Sequence, residues 1–350
     1  MLLASVDGWT CAVKQGEHKV GELVLYFEID SFLPAGDERF SFLKPFTTWQ
    51  GQRGFHVKST MVGKSISQGL ILPVSTFTEA TNTLEKLRQE QPYDEEVQKF
   101  MQLSFEEQLG VKKWELTPDE AKRSLGQPPT FIPKTDLERV QNCPNLFTPK
   151  YNHAIYQESV KMDGSSMTAY FVRRDSQWYK SVPALPKGSR ADSEEGRVGV
   201  CSRKHDLPEV SDGKFWPVAL DNYLPAKLKR LNRNIAVQGE LCGSTISQNR
   251  EGFDQGRHQF YVFRIFDIDE QKALCPKETV KLAGELGLEH VPVLGYVKLH
   301  DIAKSHNDLL KRSEGRGIHG KLREGLVYKN MKDGRSFKVI SNSNLLRNGE

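Results

Sequence analysis

Apolar residues come first in short runs separated by turn formers. WTCAVK (9–14), ELVLYFEI (22–29), GFHVKST (54–60) and GLILPV (69–74) cluster Val, Ile, Leu, Phe and Tyr between Gly, Asp and Pro. Such runs predict strands. Several strands close together predict a small barrel or sandwich, with an OB-like barrel as one form. From residue 77 to 125, Glu, Gln and Lys rise and the spacing becomes helical. TPDE at 117–120 offers a helix start, with Thr117 as N-cap, Pro118 in the first turn and Glu120 closing a capping box. GQPPTFIP at 126–133 stops any helix, and a domain boundary is expected there.

Beyond that boundary, strand and helix patterns alternate. TAYFVR, IAVQGEL, FYVFRIF, GLVYK and SFKVI predict strands. PKETVKLAGELG, closing at Gly287, and DIAKSHNDLLKR, opened by Asp301, predict helices. The segment 180–198 is rich in Pro, Gly, Ser and charge and predicts an exposed loop. The expected layout is α+β: a small all-β OB-like module over 1–76, a helical linker over 77–130, and a larger mixed domain over 131–350.

Composition narrows the classes. A chain of 350 residues suggests about two domains. Lys plus Arg number 49 against 45 Asp plus Glu, a net charge of +4 that permits a nucleic-acid partner without demanding one. A hydrophobic content of 37%, with 18 Phe and 5 Trp, provides for a packed core and excludes global disorder. No apolar run approaches the roughly 20 residues of a membrane span. The opening MLLASVDGW lacks the basic stretch and long apolar run of a secretion signal. The five cysteines are widely spaced, without CxxC, and there is no HExxH. Neither a disulfide framework nor a structural zinc site is expected, and an intracellular, non-secreted location follows, with no membrane partner.

The chemistry centres on KMDG, Lys161 to Gly164. On a strand, Lys161 and Asp163 would share a face. A buried lysine beside positive charge has a lowered pKa and can act as a nucleophile. Alone, KxDG arises by chance on the order of one time in ten in a chain this long, and a surface turn is the simpler reading. Other segments accompany it: Arg139 in KTDLERVQN, Arg203 in SRK, Glu240 in QGELCG, Phe263 in FYVFRIFDI, Glu324 and Lys329 in REGLVYK, and Lys338 in SFKVIS. Each alone reads as a solvated charge or a core residue. Their joint order does not.

That order resembles the motif series of the covalent nucleotidyltransferases, which include ATP-dependent DNA ligases, RNA ligases and mRNA capping enzymes. Within them, GWTCAVKQGE, VLYFEIDSFLP, GFHVK, SQGLILP, FIPKTDLERVQN, KMDGSSM and SFKVISN look like the Deinococcus-type RNA ligases, also known from Naegleria. The resemblance covers nearly the whole chain except 77–125 and 174–198. It implies an OB-like module ahead of an ATP-grasp-like, mixed antiparallel adenylation domain. It implies that Lys161 attacks the α-phosphate of ATP to form lysyl-AMP, with Lys329 and Lys338 on that phosphate lowering the Lys161 pKa. Asp163, Glu240 and Glu324 would hold a hydrated Mg²⁺ or Mn²⁺. Phe263 would stack on adenine, and Gly164, Arg139, Arg203 and Glu240 would line the nucleotide site. AMP would then pass to a 5′-phosphate, and a 3′-OH would displace it, in RNA or an RNA-containing nicked duplex. No protein partner is required.

Two departures from the family pattern stand out. Arg264 follows Phe263 where the family usually has Asp, and it is expected to point away from the adenine side. Trp9 lies almost at Met1, so the module is expected to lack its first strand and expose an unpaired edge. Two other readings compete with this one. DNA ligases and capping enzymes carry an OB domain after the last lysine motif, and here only 12 residues (350 − 338) follow Lys338. A catalytically inactive nucleic-acid-binding protein would not be expected to keep Lys161, Glu240, Glu324, Lys329 and Lys338 together.

Overall fold

A computed structural model describes the chain except residues 1, 30, 58, 63–64, 91–92, 115–123, 177, 180–181, 184, 186–188, 210–212 and 349–350. The chain divides into two compact units, Met1–Leu116 with Leu345–Glu350, and Thr117–Asn344.

The first unit is built from short antiparallel pairs. Val24–Phe27 pairs with Leu70–Pro73, and Ser31–Pro34 pairs with Gln52–His56. A strand that the sequence reading did not name, Leu2–Val6, runs antiparallel to Trp9–Val13 from Leu2↔Val13 to Val6↔Trp9. The Trp9 strand therefore has an antiparallel partner just ahead of it, in a two-stranded sheet. The overlooked signal was Asp7-Gly8, whose φ values of 44° and 85° make the tight two-residue hairpin that Asp-Gly favours. Helices Thr78–Glu90 and Tyr93–Phe100 follow. Phe77, Ala80, Leu84, Phe100 and Phe105 join Phe27, Leu33 and Phe40 in one buried cluster. The segment read as a linker thus helps build the first unit's core. The TPDE helix start lies outside the described residues.

The second unit carries two sheets. In the first, the strand order is Glu138–Arg139, Ser336–Ile340, Gly325–Asn330, Ile155–Lys161, Val293–Lys298. Its first pair is parallel and the others antiparallel. The second is antiparallel throughout: Asp206–Leu207, Gly196–Cys201, Ser165–Arg173, Ile235–Gly243, His258–Asp267, Lys272–Ala273. Each sheet seals one face with apolar side chains. Tyr156, Leu326, Tyr328, Phe337 and Val339 pack with Leu309 and Leu310 of helix His306–Ser313. Met167, Phe171, Val237, Leu241, Phe260 and Val262 pack with Phe215, Trp216, Leu224, Leu228 and Ala283 from three helices. Each such fully buried side chain contributes roughly 1.5–3 kcal/mol. Residues 162–164 link the two sheets.

The five strands predicted in this unit all form, four inside slightly longer ones and SFKVI as Ser336–Ile340 itself. The Asp301 helix is corrected: it splits into Leu299–Ile302 and His306–Ser313, and the second starts at Ser305, whose side chain accepts from Asp308 N–H. The expected loop at 180–198 gives way at Gly196 to a strand buried along its whole length, because it lies between two other strands.

Candidate active site

Register places four of the predicted cations on one face of the first sheet. Lys161 is opposite Gly325, and Gln157 is opposite Lys329. Val327 is opposite Lys338, and Lys338 runs beside Arg139 in the parallel pair. Opposed residues share a face and alternate residues along a strand return to it, so Lys161, Lys329, Lys338 and Arg139 point to the same side. That side is the one away from the Tyr156–Tyr328–Phe337 core.

Glu324 sits just before Gly325 and reaches Lys161, with Oε2 2.6 Å from Nζ. The Ile155–Lys161 strand ends at Lys161, so Asp163 lies beyond it rather than along its face. Burial alone would push the Lys161 ammonium pKa down, but Glu324, Glu240 and Asp163 together outweigh burial and hold it up at about 12. Without a metal ion, this direction is opposite to the expected lowering. The charges that set Lys161 are carboxylates, and Lys329 is engaged elsewhere. Burial, then Glu324 and Asp163, push Glu240 up to about 8. Three carboxylates sharing one lysine suit an added cation. Among the described residues, no three His, Cys, Asp or Glu side chains stand close enough to ligate a metal directly. By donor chemistry alone, three carboxylates around one ammonium would suit a hydrated divalent ion.

Phe263 lies on the second sheet at a bulge: Gln238 faces Arg264 and Gly239 faces Val262, leaving Phe263 as the extra residue. Bulges re-aim side chains, and Phe263 packs toward Val160, Met162 and Cys242. The Lys329 ammonium lies 5.3 Å from the centroid of the Phe263 ring and donates to the Phe263 carbonyl. Burial, then the charge of Arg264, push Lys329 down to about 7. The Arg264 guanidinium lies over the Phe266 ring, yet it remains electrically part of the site.

Gly164 packs on the Glu240 strand, where an added Cβ would lie 2.3 Å from the Leu241 carbonyl. Its main chain acts on the Glu240 carboxyl to lower its pKa, against the larger effect of burial. Arg203 is exposed and pairs with Asp136 at 2.5 Å, three residues before Arg139. That ion pair includes neither Lys161 nor the carboxylates around it.

A family model described as RNA ligase matches residues 154–340, the span that carries Lys161, Glu240, Glu324, Lys329 and Lys338. The chain belongs to the RNA ligase family. A second family model, described as an OB-fold domain, matches residues 1–74. Solved structures of Naegleria gruberi RNA ligase are similar over most of both chains. A mutant with ATP and Mn is 34% identical, with 98% of this chain and 91% of that chain covered and a TM-score of 0.78. A mutant with AMP and Mn is 33% identical, with 98% and 92% covered and a TM-score of 0.80. The form with PPi is 34% identical, with 98% and 91% covered and a TM-score of 0.79. Comparison with curated proteins yields no match. Among the described residues, no helix of this RNA ligase is long and apolar enough to cross a membrane.

The ligase also surrounds KMDG with residues that sequence reading missed. Glu251 accepts from Asp163 N–H at 2.7 Å, and Arg250 lies 3.5 Å from the Asp163 carboxylate. Burial, outweighing the Asp163 N–H bond, pushes Glu251 up to about 7. SQNREGF has the look of a solvated turn. Only the fold shows that Glu251 is buried.

Proposed function

We propose that this ligase uses ATP to seal 3′-OH/5′-phosphate breaks, with nicks in duplexes that have an RNA 3′-OH end as its substrate. The observation that carries the reading is Lys161 at the junction of two sheets, 2.6 Å from Glu324 and under the charge of Glu240 and Asp163, with Lys329 on the same sheet face against the Phe263 ring. The relatives with ATP, AMP and PPi, all of them RNA ligases, support it.

In the first step the Lys161 amine, having lost its proton, attacks the α-phosphorus. The N–P bond forms, the P–O bond to the β-phosphate breaks, and pyrophosphate leaves. Phe263 holds adenine by stacking. Lys329, Lys338 and Arg139, on the same face as Lys161, oppose the negative charge that builds on the phosphate. A divalent ion held in its water shell by Asp163, Glu240 and Glu324 would neutralise the carboxylates and the phosphates. AMP then moves to a 5′-phosphate, and the 3′-OH displaces it as the strand closes. Arg203, exposed and paired with Asp136, would contact the ribose or the incoming 5′-phosphate.

The test is incubation of the chain with α-³²P-ATP and Mg²⁺ or Mn²⁺, beside Lys161→Ala, on a denaturing gel. Label is expected on the wild type and not on the mutant. Lys161→Ala is expected to seal a pre-adenylated strand still. A folded wild type that takes no label with either metal would sink the reading.

A further inference from the structure

The ladder of the first sheet ends at Lys161↔Gly325, and that of the second begins at Ser165↔Leu241. Residues 162–164 lie in neither. Their contacts come largely from the turn that follows the Glu240 strand. Glu251 Oε1 accepts from Asp163 N–H at 2.7 Å, and Ser247 Oγ donates to the Gly164 carbonyl at 2.7 Å. Arg250 Nη1 stands 3.5 Å from Asp163 Oδ1.

The turn is itself tightly determined. Ser247, Gln248 and Asn249 are consecutive non-glycine residues in the left-handed region, with φ of 45°, 58° and 54°. L-residues adopt this only where surroundings impose it. The Asn249 side chain accepts from Phe253 N–H and donates to its carbonyl. Phe253 packs with Val160, Met162 and Cys242 beneath the KMDG segment. Glu251 is only 3% exposed. Burying a carboxylate is costly, and turn stability alone would favour a neutral or apolar residue at this position.

We propose that Glu251 is a positioning residue for adenylylation: through the Asp163 main chain it fixes the Asp163 carboxylate beside Lys161. This rests on the roles proposed above for Lys161 and Asp163. Ser247 and Arg250 complete the same clamp. Because the turn continues from the strand that carries Glu240, Glu240 and Asp163 are held by one continuous stretch of chain.

The test compares the full-length wild type, Glu251→Ala and Glu251→Gln, the last of which keeps an oxygen acceptor for Asp163 N–H. Amide hydrogen exchange across residues 161–164 reads the clamp without any reaction. Single-turnover transfer of labelled AMP, at saturating ATP and varied Mn²⁺, reads its consequence. Glu251→Ala is expected to speed exchange at Asp163 by at least about tenfold. It is expected to slow AMP transfer by about 10- to 100-fold and to raise the Mn²⁺ concentration needed. Glu251→Gln should recover most of the rate. A role in stability alone would lower rate and melting temperature together in both variants and leave the Mn²⁺ requirement unmoved. Should Glu251→Ala not fold, Ser247→Ala replaces it, with a smaller change in the same direction. Unchanged exchange and rate in the alanine variant, or no recovery with Gln, would overturn the proposal. A wild type that takes no label overturns instead the reading of Lys161, and the exchange comparison still decides the clamp.

Discussion

At the scale of single residues, the charge around Lys161 decides how the proposed first step would start. Its carboxylate neighbours hold it at about 12, so without a cation it is an ammonium at neutral pH. Only the neutral amine attacks, so the adenylylation rate should rise with pH up to the working pKa of Lys161. A divalent ion among Asp163, Glu240 and Glu324 cancels what raises that pKa and should move the profile to lower pH. Chelation is expected to abolish labelling, and raising Mg²⁺ from limiting to saturating should lower the pH of half-maximal rate. A profile indifferent to metal would contradict this. Gly164 offers a second residue-scale test. A Cβ there would lie 2.3 Å from the Leu241 carbonyl, a backbone atom that cannot swing away. Gly164→Ala should cost about 2 kcal/mol or more in urea denaturation and displace Glu240 from Lys161.

At the scale of elements, Glu158 ties the Lys161 strand to a helix. It is 1% exposed and accepts from Arg312 at 2.6 and 2.9 Å and from Tyr328 OH at 2.6 Å. Burial would raise its pKa, but the Arg312 and Tyr328 bonds outweigh burial and hold it below the usual carboxylate range. A lowered carboxylate contributes stability above its ordinary pKa and loses it as pH falls through the folded value. Glu158→Gln should therefore cost about 2–3 kcal/mol at neutral pH, and the loss should shrink in acid. Equal destabilisation at every pH would contradict the pairing. The bulge at Phe263 is the other element-scale device. Phe263→Ala should raise the KM for ATP about three- to tenfold with little change in melting temperature, because the ring is half-buried.

At the scale of the whole molecule, the two units have separate cores, Phe27–Phe77–Phe100 in one and the two sheet clusters in the other. Calorimetry should show two unfolding transitions. ATP analogue with Mn²⁺ should raise the transition of the second unit and leave the first where it was, since only a unit that binds ligand is stabilised by it. A single transition that rises as one would show that the units unfold together.

The sequence by itself determined the candidate inventory: Lys161, Glu240, Phe263, Glu324, Lys329 and Lys338 are legible because each stands in a recognisable local segment, in order. It also determined most strands, where apolar runs end at Gly, Pro or Asp. Ile155–Lys161 was harder to read. Its buried Gln157, Glu158 and Ser159 resemble a solvated stretch until Arg312 and Tyr328 are seen to partner Glu158. Only the tertiary structure decided the charge state of Lys161, the influence of the Arg264 charge on Lys329, and the burial of Glu251. Electrostatics and desolvation depend on distance through space, and residues 161, 240, 251 and 324 become neighbours only when two sheets close on the segment that joins them.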